Sequence, residues 1–423
     1  MAFATTEPLR HELEQALPDR PFSIQFWDGT AVESTNGAGG PTFFVRSPAA
    51  AAHALRAPGQ LGLGRAYVAG DLDVDDIDQV IGLLDGWQPP SLDRGAQWRL
   101  LKAAIRAAGL MRPPTVPKSE LTPRGRRHSV ERDARSVRHH YDLPQEFFGL
   151  FLDESMTYSC GIFSRGAQTL EEAQETKLEL VCTKLQLKPG DRVLDIGCGW
   201  GSFAVHAASR HDVQVVGITL SEPQAELARK RVAEAGLQDR VEIRVQDYRA
   251  ITDGPFDKVA SIGMVEHVGS NQIDNYMGQV ARLVKPGGWV LNHGIARLRH
   301  GEQEAGAFSE RYVFPDAAPL HLSRIQHAVE GAGLTTEHIE GFAADYATTL
   351  THWANRLDSN LERATELAGS ERVRVWRLYL RAARHGFQSG FTSVYQVRCR
   401  RPLEQSRDTR PASRRDLPRV ASA

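Results

Sequence analysis

The chain has 423 residues, of which 41% are hydrophobic and 24% charged, with a formal net charge of -1. That length exceeds one ordinary compact core and favours two domains, while the neutral balance gives no overall drive toward a polyanion and argues against a nucleic-acid partner. The four cysteines, Cys160, Cys182, Cys198 and Cys399, form no CxxC pair and no zinc or iron–sulfur spacing, so no metal and a reducing cytoplasm are expected.

In chain order, "MAFATTEPLRHELEQALPDR" meets charges before an apolar run can form, and no stretch reaches the ~20 apolar residues that span a bilayer. Any membrane contact is expected from the side. From 21 to about 90, "FSIQFW" and "TFFVRS" read as short strands, "SPAAAAHALRA" as a helix and "PGQLGLGRAYVAGDLDVDD" as turn-rich, which predicts a small N-terminal α/β domain over 1–111. The proline- and base-rich "RPPTVPKSELTPRGRRHS" predicts a solvated linker over 112–129. A second domain is predicted over 130–400: helix in "LEEAQETKLELVCTKLQL", strand in "RVLDI", helix in "AVHAASR", strand in "VQVVGITL", helix in "PQAELARKRVAEAG", strand in "VEIRVQDY". Strands alternating with amphipathic helices predict βαβ units around a parallel sheet, an α/β fold of Rossmann-like type with helical insertions. Beyond 350 come helices rich in arginine and aromatics and the strand-like "SVYQVRCR", and the basic tail 401–423 has too little to bury and is expected to be disordered.

"VLDIGCGWG" places Gly197, Gly199 and Gly201 between a strand and a helix, where glycines let the backbone approach a ligand and leave amides free at the helix start. The spacing is GxGxG, not the dinucleotide GxGxxG, and the next strand ends at Thr219 instead of the acid that would hold a ribose. Asp195 could orient the loop or meet a cationic ligand, and Asp247 with Tyr248 could hold an adenine edge and face. This pattern looks like the S-adenosylmethionine-dependent methyltransferases. Dinucleotide binding and a glycine turn kept only for packing remain open at this point.

A narrower resemblance rests on "HHYDL" at 139–143, "YSCGIF" at 158–163, "LDIGCGWG", "ITLSEPQ", "QDYR", "GMVEHVG", "LNHGI" at 291–295 and "ADYATTL" at 344–350. In this order and spacing they resemble the cyclopropane fatty acid synthase family over most of 137–400. The resemblance implies methyl transfer from S-adenosylmethionine to the cis double bond of a phospholipid acyl chain, with a bound bicarbonate ion as the base. Its holders would be Cys160, Glu266, His293, the backbone of Ile295, and Tyr346, with His140 and Glu146 added to the catalytic set. Cofactor positions would be Tyr158, Ser159, Asp195, Gly197, Cys198, Gly199, Trp200, Gly201, Thr219, Leu220, Gln224, Asp247 and Tyr248. His267 is expected to brace the loop.

The chemistry explains the wish for one base among apolar walls. An alkene is a weak nucleophile and needs the methyl donor held in line; methyl addition leaves a carbocation that must lose a proton before water traps it. Direct proton loss closes a cyclopropane ring. A prior hydride shift leaves a methylene branch, which a separate reductase could convert to methyl. Glu146 in "DLPQEFF" is expected to steady the shifted cation and favour methylene, although an acid in a first helical turn is ordinary. The arginine-rich 124–140 and 371–388 are candidates for interfacial contact with lipid. A cytoplasmic protein peripheral to the inner membrane face and a homo-oligomer are expected. A small-molecule O- or N-methyltransferase and a non-catalytic lipid-binding protein are the rival readings.

Overall fold

The structure is a computed structural model and describes residues 6–37, 39–57, 59–108, 114–121, 143–298, 307–313 and 319–403. The N-terminal part builds a four-stranded sheet from β1 (Ser23–Gln25), β2 (Ala31–Val32), β3 (Thr42–Val45) and β4 (Leu72–Val74), in the order β2-β1-β3-β4. Leu9, Phe26, Val32, Ala103 and Ala107 close its core between the helices Glu7–Ala16 and Arg94–Ala108.

The stretch expected to be turn-rich is instead the helix Gln60–Ala69. Its glycines are needed for close approach: a Cβ on Gly62 would stand 2.2 Å from the Ala57 carbonyl oxygen, and one on Gly64 would stand 2.3 Å from the Phe308 ring. Contact geometry outweighs helix propensity here. Part of the expected linker is packed as well. Ser119 is buried, and Glu120 takes a two-pronged bond from Arg65, both arms 2.7 Å, with the Tyr312 hydroxyl donating at 3.0 Å.

The larger sheet runs β10-β11-β9-β8-β5-β6-β7. Its strands are β5 (Arg192–Ile196), β6 (Gln214–Thr219), β7 (Val241–Val245), β8 (Phe256–Ile262), β9 (Val284–Arg297), β10 (Thr335–Gly341) and β11 (Thr392–Arg400). All are parallel except β11, which pairs antiparallel with both β9 and β10. Beyond Arg192 at its start, β5 is apolar apart from Asp195 and buried throughout, as expected of a parallel strand covered on both faces. The order reverses at β5, which pairs with β6 on one side and β8 on the other, and ligands bind beyond the carboxyl ends of strands at such a point.

Two apolar clusters cover the faces of this sheet, and a third, aromatic one, lies beyond the strand ends under the helices Ala343–Ser359 and Leu361–Gln388. The second of these helices turns at Gly369, where φ is 77°. The expected lipid-facing character of 371–388 is not what the fold uses. Val373, Val375, Trp376, Leu380 and Phe387 are buried, and its arginines are committed to acids and carbonyls within the chain: Arg374 to Asp73 at 3.1 Å and the Leu72 carbonyl at 2.8 Å, Arg381 to Asp358 at 2.7 Å, and Arg384 to Asp78. The basic-apolar alternation is the mark of a helix clasped by the N-terminal part. The other candidate, 124–140, lies outside the described residues, as does the tail from 404 onward. Among the described residues no helix is long and apolar enough to cross a membrane.

Candidate active site

The glycine loop opens at the end of β5. Gly197, Gly199 and Gly201 take φ of 81°, 53° and 83°, a region that favours glycine, and Gly201 immediately precedes the helix Ser202–His211. A Cβ on Gly197 would lie 2.6 Å from the Met264 side chain, whereas one on Gly199 would meet nothing within 4 Å. The loop therefore packs on one side and is open on the other. Asp195 is buried just before it, with Oδ2 unpartnered and its carboxyl pushed up to about 7 by burial. An orphaned buried acceptor beside a loop that is open at Gly199 fits the amino-acid end of S-adenosylmethionine.

At the end of β6, Thr219 donates to Gln224 Oε1 at 2.8 Å, and Ser221 caps the helix Glu222–Glu234, with Leu220 half-buried between them. Asp247 and Tyr248 follow β7; the Asp247 carboxylate accepts from Arg249 at 2.6 and 2.8 Å, and Tyr248 meets the Tyr276 ring edge-on at 5.0 Å. Tyr158 stacks on Trp353 with centroids 5.1 Å apart. Two expected cofactor side chains turn elsewhere. Cys198 packs in the core against Gly217, and Trp200 lies against Phe148 at 5.0 Å in the aromatic cluster, so only their backbones face the crevice side of the loop.

The expected base-holding residues gather around the carboxyl end of β9. Glu266 sits on the turn of helix Val265–Val268 with Oε2 against the Gly294 backbone, where a Cβ would stand 3.0 Å away. Oε2 has no partner, and burial raises the carboxyl to about 7 against the opposing pull of its own amide and that of Ile295. His293, paired across the sheet with Gln396, receives the Gln396 amide on Nδ1 at 3.1 Å, which leaves Nε2 as an N–H donor without a partner. Burial, and then the charges of Lys177 and Lys184, push its pKa down to about 3, so the ring is neutral. Cys160 is fully buried with its thiol pushed well up by burial; Sγ lies 3.7 Å from the Phe342 carbonyl, the same carbonyl that accepts from the Tyr346 amide at 3.0 Å. Cys160 and Tyr346 thus meet at the Phe342 carbonyl, while Glu266 lies against the His293–Ile295 stretch of β9. Burial holds His267 at about 4, neutral beside them.

Side chains outside every motif join the two groups. Lys177, on the helix Leu170–Leu185, is fully buried and donates to Ser159 Oγ at 3.0 Å. Burial pulls it down to about 8, opposed by Asp153, Cys160 and Asp195, and its charge is felt by His293. It is the cation beside both the loop acid and the Cys160 turn. Gln174, one turn earlier, donates to the Ser159 carbonyl at 2.8 Å, and Asp345 accepts from the amides of Phe163 and Ser164 at 2.6 and 2.7 Å. Only the i, i+3 spacing of Gln174 and Lys177 on one helix face could have signalled them.

Glu146 corrects the expectation placed on it. It is exposed on the short helix Gln145–Gly149, whose Phe147 and Phe148 take the inward positions, so its carboxylate points away from the apolar cluster. His140 lies outside the described residues.

Chemically, the site offers a cradle for a methyl donor, an unpartnered imidazole donor, a buried carboxyl with one oxygen unpartnered and a buried cation, with the aromatic cluster of Phe147, Phe148, Phe151, Trp353 and Trp376 packed together with Cys160, Tyr346 and Ile295. A neutral N–H and a nearby ammonium both favour negative charge, so this donor set fits a small anion. A family model described as mycolic acid cyclopropane synthetase matches residues 128–397. A Pseudomonas putida protein named "Probable fatty acid methyltransferase" is 35% identical, covering 94% of this chain and 96% of that one. The "Tuberculostearic acid methyltransferase UfaA1" of Mycobacterium tuberculosis is 31% identical, covering 94% and 91%. The solved mycolic acid cyclopropane synthase CmaA1 complexed with SAH and CTAB is 32% identical with a TM-score of 0.60, covering 63% of this chain and 98% of that one.

Proposed function

The chain belongs to the cyclopropane synthase family of S-adenosylmethionine-dependent methyltransferases that act on fatty acyl chains, and from that premise we propose that it methylates the cis double bond of an unsaturated acyl chain esterified in a phospholipid. The observation that carries this reading is the pair of unpartnered buried atoms, His293 Nε2 and Glu266 Oε2, at a strand end beside an aromatic cluster.

S-adenosylmethionine supplies the methyl group when bound. Asp195, the glycine loop at its open Gly199 turn, Thr219, Gln224, Asp247, Tyr248 and Ser159 are the residues that would hold it. The aromatic cluster excludes water from the acyl chain, which protects the cation left on the substrate after methyl addition. His293 donates through Nε2, Cys160 through its thiol, and Lys177 offsets negative charge, so that a small anion of bicarbonate type can sit where the new methyl group loses its proton. Glu266, near half-protonated at neutral pH, can either donate to that anion or receive the proton from it.

We favour a methylene-branched product, which rests on the likeness to the tuberculostearic acid methyltransferase over 94% of this chain and no longer on Glu146. Ring closure is the competing outcome, supported by the likeness to the cyclopropane synthase CmaA1. Peripheral binding at the inner membrane face, subunit pairing and a separate reductase acting on the product belong to the same proposal. The test is turnover on vesicles of oleoyl phospholipid beside stearoyl phospholipid, with the product examined by proton NMR. Vinylidene protons from the oleoyl lipid alone support methylene, and high-field ring protons replace that by cyclopropane. Turnover of the stearoyl lipid, or of polar metabolites only, overturns the proposal.

A further inference from the structure

On the side of the helix Leu170–Leu185 away from Lys177, four ligand-type side chains converge: Glu179, Cys182, His206 and His211. Glu179 and Cys182 stand three residues apart on that helix. His206 and His211 come from the helix Ser202–His211, which begins directly after the glycine loop. The Nε2 atoms of the two histidines approach the same carboxylate oxygen of Glu179 at 3.1 and 3.0 Å, and the four ligand atoms all lie within 4.8 Å of one another. Tetrahedral zinc, with bonds of about 2.0 Å to nitrogen or oxygen and about 2.3 Å to sulfur, spaces its ligands about 3.3–3.6 Å apart. The histidine–glutamate contacts are already within a few tenths of that range, and the remaining gaps close by about an ångström of side-chain rotation.

We propose that Glu179, Cys182, His206 and His211 form a binding site for a borderline-soft divalent metal of the zinc class. Two imidazoles bridged by a carboxylate would be explained by hydrogen bonding alone, but that bridge does not account for a thiol at the same point. One sulfur, two nitrogens and one oxygen is a donor set that zinc takes and magnesium or calcium does not. All four positions come from protein, so the site is structural, with no open position for a substrate. On binding, the Cys182 thiol releases its proton to solvent, and His206 and His211 present the Nε2 lone pair with the ring proton on Nδ1. Access is from the surface: Cys182 is the buried end, while the His211 and Glu179 side chains are 23% and 48% exposed. The metal would pin the two helices that flank β5, bracing the cofactor loop from behind. The inference is independent of the proposed reaction.

The test uses the full chain after chelator treatment, without substrate. Zinc competition against a chromophoric chelator is expected to give one tight equivalent, with affinity falling at least about tenfold in His211→Asn and Glu179→Gln. Cobalt is expected to give a near-ultraviolet thiolate charge-transfer band that Cys182→Ser abolishes, with circular dichroism of the metal-free variants unchanged. If Cys182→Ser loses its fold, the two surface variants decide the matter. Zinc affinity unchanged in both, no zinc binding tighter than micromolar, or a cobalt band that survives Cys182→Ser overturns the site.

Discussion

Replacing Glu266 by Gln should stabilise the folded chain at alkaline pH while disabling it. Burial moves this carboxyl from 4.5 to about 7. At ~1.4 kcal/mol per pH unit, ionising it inside the folded chain costs ~3 kcal/mol relative to ionising it in the unfolded one. The unfolded chain gives up this proton first, so the folded state holds more protons between pH 4.5 and about 7, and stability falls as pH rises through that window. The amide of Gln never ionises. It leaves a buried amide group short of a partner, but that cost of ~1–3 kcal/mol does not change with pH and cancels when two pH values are compared. Urea denaturation in bicarbonate-free buffer should therefore show Glu266→Gln gaining ~2.5 kcal/mol on the wild type between pH 5 and pH 8, with equal m-values. Methyl transfer should fall ~100-fold or more at either pH. A gain below ~0.5 kcal/mol would refute the argument that burial of Glu266 outweighs the two amides that bond to it.

Lys177→Met should weaken S-adenosylmethionine binding ~10-fold or more by calorimetry and cost ~3 kcal/mol of stability, because Asp195 loses its nearby cation; Lys177→Met with Asp195→Asn should recover part of that cost. His293→Phe should lower kcat ~100-fold, and the wild-type rate should show no step assignable to His293 between pH 5 and 8, since the ring titrates only near about 3. Gly197→Ala should lose ~1–3 kcal/mol and most cofactor affinity, because a Cβ at φ 81° meets Met264. Glu146→Asn should leave turnover and the product ratio within about twofold, as its exposed side chain is outside the apolar cluster; a switch of product on chromatography would restore the role first expected of it.

The parallel sheet was legible because β5 and β6 are buried on both faces and so carry nearly continuous apolar runs, followed by glycines that the loop conformation requires, while β7 at the sheet edge alternates buried and exposed residues. Cys160, Glu266, His293 and Tyr346 were legible only as parts of a family pattern. Taken singly, a buried thiol or a core histidine reads as packing, and it is the unpartnered atoms at Glu266 and His293 that separate the two. Lys177 escaped notice because a lysine in an amphipathic helix reads as solvent-facing, and burial at its position is decided by tertiary packing. Glu146 misled for the converse reason: over a five-residue helix the periodicity is too short to say which side chains point inward. Gln60–Ala69 was read as turns because glycine weakens a helix in isolation, while here it is what lets the helix sit against Ala57 and Phe308. The Arg374, Arg381 and Arg384 face looked suited to lipid because sequence shows the bases and not the acids, Asp73, Asp358 and Asp78, that answer them from elsewhere in the chain.

The most direct measurement supplies S-adenosylmethionine carrying a fully deuterated methyl group together with oleoyl phospholipid, and counts deuterium in the released fatty esters by mass spectrometry. Attack by the olefin, followed by loss of one methyl proton to the anchored acceptor, predicts one added carbon per chain retaining two deuterons. Esters keeping all three, or label found only on a headgroup or a polar metabolite, would mean that no proton leaves the new carbon in this cleft.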